Sequence, residues 1–122
     1  MENLLVNTRD QRFTLYEMLN IEKELCTLPR FSEHSRDLYD MTLDVALKLA
    51  VEEIYPTLME ADRQGCVFEN GNVKVPPCFH RVHKLFIEGG WATTAVSPEA
   101  GGQGLPYTLS LAILETFVHE CF

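Results

Sequence analysis

The stretch RDLYDMTLDVALKLAVEEIYPTLMEADRQG, residues 36–65, is the feature that most narrows what this chain can fold into. Ser35 precedes it and offers a side-chain oxygen to the free N–H groups of a helix start. Asp37 complements the positive end of the helix dipole, and Gly65 is a natural stop. At about 100° per residue, Leu38, Leu43, Val45, Ala46, Leu47, Leu49, Ala50 and Ile54 cover about half the circumference. Asp37, Asp40, Asp44 and Lys48 share the other sector and read as a solvated face. An apolar surface that wide needs neighbours on two sides, so the pattern predicts a helical bundle. Pro56 deletes one helical hydrogen bond and predicts a kink near the end.

The remaining segments supply those neighbours. Thr8 and Gln11 have the spacing of a capping box and predict a helix over about 9–20, with Phe13 and Tyr16 on one face. A shorter helix is expected from Ile21 to about Cys26, before Pro29. In CVFENGNVKVPP the period becomes two, and Asn70-Gly71 suits a tight turn, which predicts strands over 66–69 and 72–75. Pro76 and Pro77 launch a helix over about 78–88 that carries Phe79, Val82 and Phe86 on one face and stops at Gly89. After a glycine-rich connection, Pro106 opens a last helix whose expected apolar face is Tyr107, Leu111, Leu114, Phe117, Val118, Cys121 and Phe122. No Gly, Asn or Pro closes that helix, which suggests a chain cut short. The expected fold is all-α: an up-down bundle of four or five helices with one short β-hairpin.

At 122 residues the chain is about one domain long. Its net charge of -8 argues against nucleic acid or an anionic membrane as a partner, because either requires clustered Lys and Arg. No run approaches the roughly 18 apolar residues that span a bilayer, and MENLLVNTRDQR lacks the order of a signal peptide. A cytoplasmic protein is expected. Cys26, Cys66, Cys78 and Cys121 form no C-x-x-C pair and are expected as free thiols.

Few residues suggest chemistry. Cys78, His80 and His83 are the only metal-capable cluster, and no convincing fourth ligand lies near them, so no metal site is expected. His34, His119 and Glu120 have no nucleophile at a recognisable spacing. The pair Glu52-Glu53, Glu60 and Asp62 fit a solvated helix surface, whereas Glu115 lies beside the apolar face of the last helix.

The connection EGGWATTAVSPEAGGQGLPYT, residues 88–108, holds five of the seven glycines. A dinucleotide fingerprint requires a strand followed by G-x-G-x-x-G at a helix start. WATTAV is β-prone and Gly102-x-Gly104 fits the first half, but the third glycine position is Tyr107. The fingerprint fails, although a helix start at Pro106 can still attract an anion. The simpler reading is a tight reversal, with Gly101, Gly102 and Gly104 providing unusual backbone angles.

The order of these features, with EADRQGC, the ENG turn and FHRVHKLFIEGGWATTAVSPEAGGQGLPYTLSLAILE, resembles the N-terminal helical domain of flavin-dependent acyl-CoA dehydrogenases. The branch it looks most like is the larger bacterial type that includes 3-methylmercaptopropionyl-CoA dehydrogenase. The resemblance covers essentially the whole chain, including TRDQRFTLYEML, and divides it into an N-terminal helical extension, 1–34, and the domain proper, 35–122. Its most specific part is Gly90-Trp91 followed by Pro98-Glu99-x-Gly101-Gly102-x-Gly104-Leu105-Pro106 and a helix bearing Glu115; Ala100 stands where many relatives have an aromatic residue.

Such enzymes desaturate an acyl-CoA thioester between Cα and Cβ: a glutamate takes a proton, FAD takes a hydride, and the electrons pass to an electron-transfer flavoprotein. The resemblance implies that the flavin and the base belong to a middle β domain and a C-terminal bundle. No catalytic residue and no firm flavin ligand is therefore carried over to this chain. Trp91, Glu99, Gly101, Gly102 and Gly104 are expected to form a structural loop near the acyl pocket. The implied role is a scaffold and pocket wall, inactive alone, within a homo-oligomeric FAD enzyme; a free-standing helical interaction module is the alternative.

Overall fold

The computed structural model describes residues 3–121, with the side chains of Glu120 and Cys121 excepted, so the expectations for Cys121 and Phe122 lie outside the described residues. The chain is a helical bundle with a single two-stranded antiparallel hairpin among the described residues. Helix α1 (Thr8–Arg12) runs into a π turn, Phe13–Met18, and is followed by α2 (Ile21–Leu25) and a 3-10 turn at Pro29–Phe31. Then come α3 (Arg36–Leu49), a second π turn at Ala50–Ile54, a 3-10 turn at Tyr55–Thr57 and α4 (Leu58–Gln64). Strands β1 (Val67–Glu69) and β2 (Asn72–Lys74) precede α5 (Cys78–Glu88) and α6 (Tyr107–Cys121). No helix among the described residues is long and apolar enough to cross a membrane.

The first helix starts differently from the expected capping box. Asn7, in an extended conformation, is the cap, and its Oδ1 accepts from Arg9 N at 3.1 Å and Asp10 N at 3.2 Å. The Gln11 side chain is thereby free to turn inward. The π turn that follows also separates Phe13 from Tyr16: i→i+5 bonding changes the angular step, and Phe13 is exposed while Tyr16 is buried.

Ser35 caps α3 as its spacing implies, its Oγ accepting from Leu38 N at 3.2 Å. The single kinked helix expected over 36–65 is broken into α3, a π turn, a 3-10 turn and α4, all ahead of Gly65, which has a φ of 62°. Pro56 sits within the 3-10 turn, where its missing N–H costs least. The buried face of the segment is Tyr39, Leu43, Ala46, Ala50, Val51 and Ile54, whereas Val45 is exposed. Nor are all the acidic residues merely solvated. Asp40 accepts from Tyr16 Oη at 2.8 Å and Arg12 Nε at 3.2 Å, and Arg12 Nη2 reaches Asp44 at 2.6 Å. The Arg36 guanidinium stacks 4.1 Å above the Tyr16 ring, so a small polar cluster docks the first segment on α3.

The hairpin pairs Val67 with Lys74, Phe68 with Val73 and Glu69 with Asn72, around Asn70 and Gly71 at φ 52° and 76°. Both central residues have the positive φ that a two-residue hairpin turn requires. All of its strand residues are exposed.

One core holds the elements together. Leu15, Tyr16 and Ile21 from the first segment join Tyr39, Leu43, Ala46, Ala50 and Ile54, then Leu105, Leu109, Ala112, Ile113 and Phe117. Helix α6 contacts both α3 and the second π turn. Its buried face differs from the one expected. Leu109, Ala112, Ile113, Thr116 and Phe117 face the core, while Tyr107, Leu111, Leu114 and Val118 remain exposed. The helix is apolar nearly all round, so periodicity carries no information about which side turns inward.

Tyr39 is fully buried, with its hydroxyl 2.9 Å from His34 Nδ1 and 3.7 Å from Cys26 Sγ. Cys26, Cys66 and Cys78 are free thiols.

Candidate functional site

The glycine-rich connection folds as two 3-10 turns, Trp91–Thr93 and Pro98–Ala100, joined by a backbone knot. The β-prone WATTAV finds no partner strand; Gly90, at φ 75°, turns the chain and starts a 3-10 turn instead. The amides of Ala100 and Gly102 both donate to Ser97 O at 3.0 Å, and that of Gly101 donates to Pro98 O at 3.0 Å. Gln103 N reaches Thr93 O at 3.0 Å, Gly104 N reaches Val96 O at 2.8 Å, and Leu105 N reaches Thr94 O at 2.9 Å. Every amide from 100 to 105 is thus spent inside the loop.

Gly101 and Gly104 take positive φ values of 85° and 67°, but Gly102 does not. Gly102 is required for a different reason: a Cβ there would run into the Val96 carbonyl. The loop is tied to its surroundings by the Thr94 and Ser110 hydroxyls, 2.6 Å apart. The Trp91 ring meets Phe117 edge-on at 5.4 Å, and Phe86 meets Phe117 at 5.6 Å. Glu99 is exposed at the tip, with Ala100 beside it. Of the expected loop residues, Trp91 is therefore the one locked into the core by aromatic contacts, while Glu99 and Gly101 lie outside.

A phosphate cradle requires amides that point at the ligand. None in the 100–105 segment does so, because each of those amides is bonded within the loop. Among the described residues no three His, Cys, Asp or Glu side chains gather around a potential metal position.

A second feature was not legible in the sequence. Gln11, only 9% exposed, donates through Nε2 to Ala112 O at 3.0 Å and to Glu115 Oε2 at 3.2 Å. Glu115 thus acquires a partner from the first helix. A groove of about 450 Å³ runs between the two, with Leu15, Leu19, Leu111 and Ala112 among its apolar walls and Asp10 and Glu115 among its polar ones.

The exposed side of α6 continues this surface. Tyr107, Leu111, Leu114 and Val118 are 71%, 50%, 49% and 43% exposed and recur at spacings of four, three and four. That repeat is the seam by which helices pack on helices.

Several known proteins are similar to this chain. No family model matches the chain. The broad-specificity linear acyl-CoA dehydrogenase FadE5 of Mycobacterium tuberculosis is 30% identical over 118 residues, which takes in 94% of this chain and 19% of that protein. A butyryl-CoA dehydrogenase of Syntrophomonas wolfei is 33% identical over 91 residues, 72% of this chain and 15% of its own length. A further butyryl-CoA dehydrogenase match from the same organism is 29% identical over 117 residues, 93% of this chain and 19% of that protein.

The resemblance is to acyl-CoA dehydrogenases. It extends over most of the chain, which spans less than a fifth of the length of the relatives it matches. The helical bundle with one short hairpin is the fold expected for their N-terminal helical domain.

Proposed function

We propose that this chain is the N-terminal helical domain of a longer acyl-CoA dehydrogenase, and that it acts there as a scaffold and one wall of the acyl pocket. In this reading residues 1–34 belong to an N-terminal extension and residues 35–122 to the domain proper. The whole protein would desaturate an acyl-CoA thioester between Cα and Cβ and pass the electrons to an electron-transfer flavoprotein. FAD supplies the redox chemistry there and is held by residues beyond this chain, in agreement with a glycine loop whose amides are already spent. In this reading the whole protein would act in the cytoplasm as a homo-oligomer.

The observation that carries this reading is the match to FadE5 over 94% of the chain but 19% of the relative. The exposed α6 seam supports it, because a helix with apolar residues on both sides requires covering on both sides. In this role Trp91, Glu99, Gly101, Gly102 and Gly104 form the loop beside the pocket, with Trp91 fixing its base through Phe117.

The test is a chimera. The matched segment of the mycobacterial enzyme is replaced by this chain, and the purified protein is assayed for bound flavin and for flavin reduction by linear acyl-CoA thioesters. Retention of both is expected. A folded chimera that binds flavin but is not reduced by any acyl-CoA overturns the pocket-wall role.

A further inference from the structure

The groove between the first segment and α6 carries one carboxylate on each wall, Asp10 on α1 and Glu115 on α6. Among the described residues neither is paired with a cation. Both arginines of α1 are engaged elsewhere, Arg9 with Glu17 at 2.7 Å and Arg12 with Asp40 and Asp44. Glu115 accepts from the uncharged Gln11 amide, which leaves its charge unbalanced. Between the two carboxylates lies an apolar trough. Leu15 and Ala112 are buried at its floor, while Leu19 and Leu111 are 46% and 50% exposed at its edges.

We propose that this groove is the docking site for a third helix, an amphipathic basic helix supplied by a partner protein. A trough of about 450 Å³ accepts a row of apolar side chains from a helix laid along it. Carboxylates that flank the trough from opposite walls match a helix whose apolar stripe is bordered by Lys or Arg on both edges. That is how the charged e and g positions of a coiled coil border its a/d seam. Charge then selects the occupant. With eighteen acidic residues against ten basic ones, a second copy of this chain would bring an acidic excess to a groove that already holds two unbalanced carboxylates. The inference rests on the groove alone and does not depend on the acyl-CoA dehydrogenase reading.

The experiment is fluorescence anisotropy of labelled three-heptad peptides titrated with the full chain at about 50 mM salt, where screening is modest. The basic probe repeats KLAALKA and the charge control repeats ELAALEA. A permuted peptide keeps the composition of the basic probe but scatters its leucines around the helix. Saturable one-to-one binding of the basic probe is expected, at least about tenfold tighter than either control and weakening as salt rises. The double variant D10N/E115Q keeps the acceptor for Gln11 but removes both charges, and weakens the probe about fivefold, the combined effect of two exposed ion pairs. Leu19→Ser thins one apolar edge and weakens the probe by about the same factor without altering its salt dependence. Circular dichroism verifies that both variants remain folded. Four results overturn the proposal: no binding of the basic probe, equal binding of either control peptide, binding that D10N/E115Q or L19S leaves unchanged, or self-association of the chain that L19S abolishes, which would seat a second copy in the groove.

Discussion

The Gln11 side-chain amide lies 3.0 Å from the Ala112 carbonyl oxygen, bridging the first and last helices across 101 positions of sequence. Ala112 O also accepts from Thr116 Oγ1 at 3.2 Å, so one carbonyl gathers a buried polar cluster in an otherwise apolar seam. Gln11→Ala removes the donor and leaves a void. A loss of about 1–3 kcal/mol in urea unfolding is expected. A loss below a few tenths would mean that the first helix does not dock through this residue.

Asp40 receives Tyr16 and Arg12 together. Asp40→Ala strands the Tyr16 hydroxyl and unpairs Arg12. The ion pair itself is partly solvated and contributes little, so most of the expected loss of about 1–2 kcal/mol comes from the half-buried hydroxyl. Comparing D40A, Y16F and the double variant separates the two: strongly non-additive losses are expected, and fully additive ones would contradict a shared contact.

The two loop glycines should respond differently. Gly101 has open space around its missing side chain but a φ of 85°, so Gly101→Ala should cost about 1 kcal/mol through backbone strain. At Gly102 the added methyl collides with the Val96 carbonyl, and a loss of about 3 kcal/mol or more is expected. Equal melting-temperature shifts for the two variants would refute this packing.

Alkaline pH should unfold the protein through its buried phenols. Burial, followed by the Asp40 hydrogen bond, raises the Tyr16 pKa above its ordinary value near 10. Burial, followed by the contact with Cys26, raises that of Tyr39. A raised folded-state pKa means stability that is complete below about pH 10 and lost as pH climbs towards the folded value. Phenolate absorbance should therefore show two of the four tyrosines titrating only as the chain unfolds. Four normal titrations in the folded state would contradict the burial of Tyr16 and Tyr39.

The α6 seam predicts self-association of the isolated chain. Sedimentation should detect oligomers that Leu111→Glu with Leu114→Glu converts to monomers, with the melting temperature almost unchanged because both side chains are already half exposed. A monomeric wild-type chain would exclude this surface as an interface between copies.

The sequence was most legible where a single residue type dictates local geometry. Ser35 as a cap, Asn70-Gly71 as a turn, Gly65 as a stop and the bounds of α5 all follow from backbone rules that act within a few positions. The phase of α6 did not, because a helix apolar on nearly every side has no period to read. The burial of Tyr39 was equally hidden: its hydroxyl is satisfied by Cys26 and His34, partners that no spacing rule connects to it. At the candidate site the glycines announced a reversal, but the Gln11–Glu115 contact depends on two helices meeting, a tertiary event without a local signature.

The π turn at Ala50–Ile54 behaves as one residue inserted into an otherwise regular helix, and an insertion of that size rotates everything beyond it by about 100°. The azimuth of α4 and of the hairpin it leads to therefore depends on the length of those five residues. Shortening that turn by a single position would swing the hairpin to another side of the bundle while leaving every amino acid in it unchanged.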